Sequence, residues 1–327
     1  MKSKGTISQD TAGNGRFRRM LLAWFDRHQR DLPWRADRDP YRVWLSEVML
    51  QQTRVAAVVQ HYKLFLRRFP SIEKLARARE SSVLAAWSGL GYYRRARMLH
   101  AAAKRIMKER AGVFPTTAED LRTLPGIGRY TAAAIASIAF GEPAAVVDGN
   151  VERVLRRMAG KNLSDKSLWL LAGQLLDPKR PGDFNQALME LGATVCLPRQ
   201  PRCELCPVNV LCATRGEHPS SKQTNRQRKR EIQYALSIRG RLVLLVQRPS
   251  HASLMPGMWE LPEVPAQNGS EPWLTLRHSI TVTDYLVRVI QDPRPNHADG
   301  LWIPRSRLAA LPLTGLARKI LRAGQLI

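Results

Sequence analysis

All four cysteines of the chain lie between positions 196 and 212, spaced Cys196-x6-Cys203-x2-Cys206-x5-Cys212. Four soft thiolates on one short loop can wrap a common metal centre, and such a centre dictates how the loop folds. Two disulfides or four unrelated buried thiols are the alternatives. Structural zinc sites usually bring two short paired knuckles, whereas only Cys203 and Cys206 are paired here. The spacing therefore favours an iron-sulfur cluster over zinc without deciding between them.

At 327 residues the chain exceeds the usual size of one domain, so two are expected. Its 52 lysines and arginines oppose 27 acids, a formal net charge of +25. Such a field attracts a polyanion, and nucleic acid is the commonest candidate. Residues 1–16 are expected to form a disordered basic tail, since Met1 to Arg19 lack the apolar centre of a secretory signal. No uninterrupted apolar run approaches the ~20 residues that span a bilayer, so no membrane partner is expected. Together with thiols gathered for a metal, this points to the reducing cytoplasm.

From Phe17 to about residue 216 apolar residues recur at three- and four-residue spacing, as in Tyr41 to Tyr62 and Ser81 to Lys108, which predicts an all-helical domain. Residues 217–230 predict an exposed linker, with His218-Pro219-Ser220-Ser221 followed by Lys222, Arg226, Arg228, Lys229 and Arg230. After it the period changes. Ile232, Tyr234, Leu236 and Ile238 alternate with other residues, Leu242 to Val246, Ile280 to Ile290 and Leu301 to Ile303 predict further strands, and Leu316 to Arg322 a closing helix. The expected fold is thus an all-α domain followed by a smaller mixed α/β domain at 231–327.

Thr116-Thr117-Ala118-Glu119 matches a capping box opening a short helix that Leu124-Pro125 ends. Gly126 and Gly128 then allow a tight turn, and Arg129 starts a second helix whose free N–H groups can hold a phosphate without reading sequence. Leu124-Pro125-Gly126-Ile127-Gly128 resembles the helix-hairpin-helix of the endonuclease III superfamily of DNA glycosylases, and the cysteine spacing is similar to that superfamily's 4Fe-4S loop. Trp44-Leu45-Ser46-Glu47-Val48-Met49-Leu50-Gln51-Gln52-Thr53 and Gly89-Leu90-Gly91-Tyr92-Tyr93 narrow the resemblance to MutY-type adenine DNA glycosylases. It implies one 4Fe-4S cluster and a monomer acting on double-stranded DNA with adenine opposite 8-oxoguanine or guanine.

On a helix Glu47 shares a face with Trp44, Leu50 and Gln51, and apolar neighbours favour the protonated acid. A surface acid would show the same pattern. Asp148 follows Ala145-Val146-Val147 and precedes a helix from Val151, so it is either a plain N-cap or a carboxylate that the helix start keeps charged. The resemblance implies the catalytic alternative for both: Glu47 as proton donor and Asp148 as stabiliser of the sugar cation, with Tyr130 and Asn150 supporting them. Tyr130 stands where lyases of the superfamily are expected to carry a lysine, which implies base excision with little or no strand cleavage.

The resemblance further implies that Leu50, Gln52 and Tyr92 wedge the duplex open, and that Leu32, Trp34, Arg35 and Gln186 contact the extruded adenine. Gly257-Met258-Trp259-Glu260-Leu261-Pro262 is similar to the Gly-x-Trp-x-x-Pro turn of the MutT-like domain that senses 8-oxoguanine. No Nudix box accompanies it, so binding without nucleotide hydrolysis is expected. Ile280-Thr281-Val282 stands in place of the usual Phe-Ser-His loop; Thr281 keeps the hydroxyl but the imidazole is lost. A weaker preference for 8-oxoguanine over guanine than the family norm follows.

Overall fold

The computed structural model describes residues 11–215, 228–265, 271–280, 283–292 and 299–327. The chain runs through α1 (Thr11–His28) and α2 (Pro40–Leu50), then α3 (Val55–Arg68), α4 (Ile72–Arg77), α5 (Glu80–Trp87) and α6 (Arg94–Arg110). It continues with α7 (Ala118–Leu121), α8 (Arg129–Phe140), α9 (Gly149–Ala159), α10 (Asp165–Leu175) and α11 (Pro181–Thr194). Two compact units result: residues up to 52 with 105–222, and residues 53–104 with 223–327. Among the described residues no helix is long and apolar enough to cross a membrane.

In the first unit α2 packs on α8, with fully buried Trp44 edge-on to Phe114 at 5.6 Å. Buried Ala132 to Ala136 keep the surface of α8 low. α11 approaches α9 just as closely, because a Cβ on Gly192 would come within 2.6 Å of the Asn150 Cβ. α1 begins at Thr11, six residues inside the expected tail, so helical order reaches further toward the N-terminus than the apolar pattern indicates. The α7 N-cap is Thr117, whose Oγ1 accepts from Asp120 N at 3.1 Å; the cap therefore sits one residue later than the Thr116-to-Glu119 box predicts.

Two stretches of helical spacing are each divided between two helices. Tyr41 to Tyr62 divides into α2 and α3 around Gln52, and Ser81 to Lys108 divides into α5 and α6 around Gly89, Gly91 and Tyr92. All four of these residues have left-handed backbones, with φ of 54°, 108°, 69° and 47°. An α-helix cannot pass through such positions.

The second unit adds β1 (Arg228–Leu236), β2 (Ile238–Arg239), β3 (Leu242–Gln247), β4 (Trp259–Glu260), β5 (Glu263–Val264), β6 (Leu274–Ile280), β7 (Thr283–Gln291) and β8 (Gly300–Pro304). It closes with α12 (Arg305–Leu308) and α13 (Gly315–Ala323), the latter covering the predicted helix. One sheet has the order β5-β1-β7-β6, with β1 parallel to β7 from Arg228↔Thr283 to Leu236↔Gln291 and the other pairs antiparallel. In the other sheet β3 pairs with β2, β4 and β8. Tyr234, Leu236, Val243, Leu245, Val287, Val289 and Ile320 share their core.

Two expectations need correcting here. Arg228, Lys229 and Arg230 are not linker but the exposed start of β1, because the ladder with β7 satisfies their backbone whatever their side chains. The expected Ile280-to-Ile290 strand is found as β7 but starts at Thr283, because Ile280 ends the antiparallel neighbour β6, opposite Thr283. Leu274, Leu276 and His278 alternate with Thr275, Arg277 and Ser279, a period-2 signal that marks β6 in the sequence. Residues 217–227, and Thr281 and Val282, lie outside the described residues.

Candidate active site

Glu47 sits mid-α2 and is only 6% exposed. Its Oε2 accepts a 2.8 Å bond from the hydroxyl of Tyr130, the second residue of α8. That hydroxyl also lies 3.0 Å from Met189 Sδ on α11. Gln51 Nε2 donates to Thr131 Oγ1 at 3.2 Å and ties the end of α2 to the same turn of α8. Burial pushes Glu47 up to about 7; the Tyr130 bond and Arg35 pull it back, while the charge of Asp148 adds to the rise. Tyr130 is raised well above its ordinary value, first by burial and then by Glu47 and Asp148, so it remains a neutral donor.

Asp148 caps α9: its Oδ1 accepts from Asn150 N at 3.0 Å and Val151 N at 2.7 Å, and its Oδ2 from Asn150 Nδ2 at 3.1 Å. The amide of Asn150 is oriented by Arg153, whose guanidinium donates to Asn150 Oδ1 at 2.8 Å and leaves Nδ2 for the carboxylate. Arg153 in turn donates to Gly192 O at 2.7 Å and Cys196 O at 2.8 Å. A carboxylate, a buried acid and two neutral donors are thus gathered at the meeting of α2, α8 and α9.

The raised Glu47 also bears on stability. A carboxyl whose folded value lies above its ordinary 4.5 costs nothing below that pH, and its cost grows from there up to about 7 and levels off above it. At pH 8 it amounts to about 3 kcal/mol. Glu47→Gln cannot ionise, so denaturant melts are expected to find the variant more stable than the wild type by a margin that widens from pH 5 to pH 8. A margin independent of pH would contradict the buried-acid assignment.

Leu32, Trp34 and Arg35 surround a 3-10 turn at Pro33–Arg35, where Leu32 and Trp34 are buried. Arg35 Nε donates to Gln186 Oε1 at 3.2 Å, leaving the amide nitrogen of Gln186 as a donor. Trp34, Arg35 and Gln186 line one pocket, of which neither Leu32 nor Glu47 is a lining residue. Arg35 is fixed by Glu190, 1% exposed, which takes 2.9 Å from Arg35 and 2.6 Å from Arg30. Burial opposes the charge of Glu190, yet the bonds from Arg30 and Arg35 hold it below the ordinary carboxylate range. Sequence reasoning missed Glu190. An acid four residues after Gln186, between Met189 and Leu191 on an apolar helix, was its signal.

Leu50 is half-buried and Gln52 exposed in the first unit; Tyr92 is exposed in the second. Gly126 has φ 75°, Gly128 caps α8, and the exposed Arg129 guanidinium lies 3.7 Å from the Trp169 ring centroid. Leu124 and Ile127 anchor this turn in the core.

The four cysteines are free, so neither disulfide of that alternative exists. They line one pocket with Val154, Met158, Leu191 and Val195. Arg157 donates to Leu197 O at 2.7 Å and Pro198 O at 2.9 Å and lies 3.3 Å from Cys196 Sγ. Burial pushes Cys206 up to about 11 and raises Cys203. Among the described residues, no three His, Cys, Asp or Glu side chains converge closely enough to hold a single metal ion.

Residues 45–168 match the HhH-GPD superfamily of base excision DNA repair proteins. An adenine DNA glycosylase of Schizosaccharomyces pombe is 32% identical over 329 residues, covering 79% of this chain and 71% of its own. The chain belongs to the adenine DNA glycosylase family. Other relatives in this family are the mouse protein, 43% identical over 79% of this chain, and the human protein, 50% identical over 64% of it. The chain spans 62% of the mouse and 41% of the human protein's length. Two solved structures share its helical fold. A thermostable thymine-DNA glycosylase is 32% identical with TM-score 0.59 over 63% of this chain and 98% of its own. Endonuclease III in a non-covalent DNA complex is 21% identical with TM-score 0.56, over 64% and 97%.

Proposed function

We propose that this chain is a monofunctional DNA glycosylase that removes adenine opposite 8-oxoguanine or guanine. The observation that carries it is Glu47: a buried acid poised near neutral pH, bonded to a phenol and facing the charge of Asp148. The adenine, extruded at a cost of a few kcal/mol, takes the Glu47 proton on a ring nitrogen. The bond from the sugar carbon to the purine breaks with its electron pair leaving on the base. Positive charge then spreads over the sugar and is stabilised by Asp148. Glu47, now a carboxylate held by Tyr130, takes a proton from the water that adds to the sugar carbon. Leu32, Trp34, Arg35 and Gln186 contact the base.

A phenol cannot form the Schiff base that strand cleavage by a lyase requires, which is why Tyr130 supports a monofunctional enzyme. Four thiols in one half-buried pocket beside Arg157 fit a 4Fe-4S cluster held by Cys196, Cys203, Cys206 and Cys212. The cluster supplies structural cohesion, ordering a loop whose exposed Arg199, Arg202 and Arg215 meet DNA phosphates. Gly126, Gly128 and Arg129 hold a further phosphate. The C-terminal residues act as the MutT-like sensor of the opposite base, with Thr281 among the sensing residues.

One assay tests this reading. A duplex with adenine opposite 8-oxoguanine is incubated with the protein and the strand is examined before and after hot alkali. Scission only after alkali is expected; scission without alkali would establish a lyase, and none in either case would leave a DNA clamp. Run with adenine opposite guanine, the same assay is expected to give a smaller rate difference than the family norm.

A further inference from the structure

We infer that Arg95 is a positioning residue that holds Tyr92 in the posture from which it enters the duplex. This rests on the proposed wedge role of Tyr92. Tyr92 is 47% exposed, and its backbone is left-handed directly after two other left-handed positions, Gly89 and Gly91. A residue bearing a Cβ holds that conformation only where its surroundings enforce it. Residues 88–93 lie between α5 and α6, so neither helix supplies the turn with a continuous ladder.

Arg95 supplies much of what is missing. Its Nη2 donates to Leu90 O at 3.1 Å and to Gly91 O at 3.3 Å, the two carbonyls just before Tyr92. The same nitrogen donates to Thr53 Oγ1 at 3.1 Å, fixing the turn to the residue that follows Gln52. The guanidinium carbon is 5.4 Å from the centroid of Tyr92 and 5.4 Å from that of Trp87. Trp87 is fully buried and donates from Nε1 to Gly91 O at 3.2 Å, so one of the two rings is anchored in the core while the other is exposed. Arg95 joins them. Burial pushes its guanidinium down to about 10, a penalty that a merely solvated arginine would escape. Lysine keeps the charge but has neither the planar fork nor the flat face that meets both rings.

The test is a double-mutant cycle of Arg95→Lys and Tyr92→Ala in the full-length holoprotein, read as single-turnover excision on two duplexes. In one, adenine faces guanine; in the other it faces an abasic site, where no pairing opposes extrusion. Arg95→Lys is expected to slow the paired duplex by about tenfold or more and the abasic duplex by less than about twofold, and to add nothing once Tyr92→Ala is present. Equal slowing on both duplexes would make Arg95 a general structural residue and overturn the inference. So would an unchanged rate on the paired duplex, or a full effect in the Tyr92→Ala background. If Tyr92→Ala alone excises from the paired duplex at the normal rate, the wedge role itself has failed. Thr53→Val, which removes only one of the bonds to Arg95, should give a smaller loss confined to the paired duplex. It keeps the inference open to refutation if Arg95→Lys does not fold, since a loss shared by both duplexes would again overturn it.

Discussion

Glu47→Gln is expected to lower single-turnover excision by roughly 10³-fold or more, the upper part of what general acid catalysis contributes. Duplex binding should remain, because the amide has the shape of the acid and can still accept from Tyr130. The pH profile separates this from simple damage to the pocket. Glu47 is pushed up to about 7 by burial, so the donating form is abundant below that pH and falls about tenfold per unit above it. The wild-type rate should decline through pH 7 to 9 while any residual rate of the variant stays flat. Retained turnover, or a wild-type rate unchanged across neutrality, would remove Glu47 from its role.

Asp148→Asn is the second large effect. As an N-cap, Asp148 contributes about 1 kcal/mol, and asparagine caps almost as well, so melting should barely change. As the stabiliser of a sugar cation its negative charge is indispensable, and excision should fall roughly 10²–10³-fold. The two roles therefore predict opposite patterns. Single-turnover rates and thermal melts of one variant decide between them: a substantial loss of stability with the rate preserved would return Asp148 to a purely structural cap.

The reach of sequence reasoning differs from residue to residue. Helical periodicity marked α2 and α3 but ran straight through Gln52, because the apolar spacing continues on both sides of the break. Only the backbone reversal separates them, and no propensity scale places a left-handed glutamine. The turn at 88–93 is similar, although Gly89 and Gly91 announce that a turn is permitted there. Glu190 was invisible as a partner, since Arg35 is 155 positions away, and so was the bond from Arg95 to Thr53, 42 positions away. Arg228 to Arg230 misled in the other direction. Their charge suggested a linker, yet the strand needs only their backbone.

The cysteine spacing, the Gly126-Ile127-Gly128 turn and the tyrosine at position 130 are local signals, written in consecutive residues and readable without a fold. The state of Glu47 is not local. Its protonation follows from desolvation by α8 and α11 and from the charge on Asp148, a hundred positions away, so only the packed chain turns a helical glutamate into an acid near neutrality.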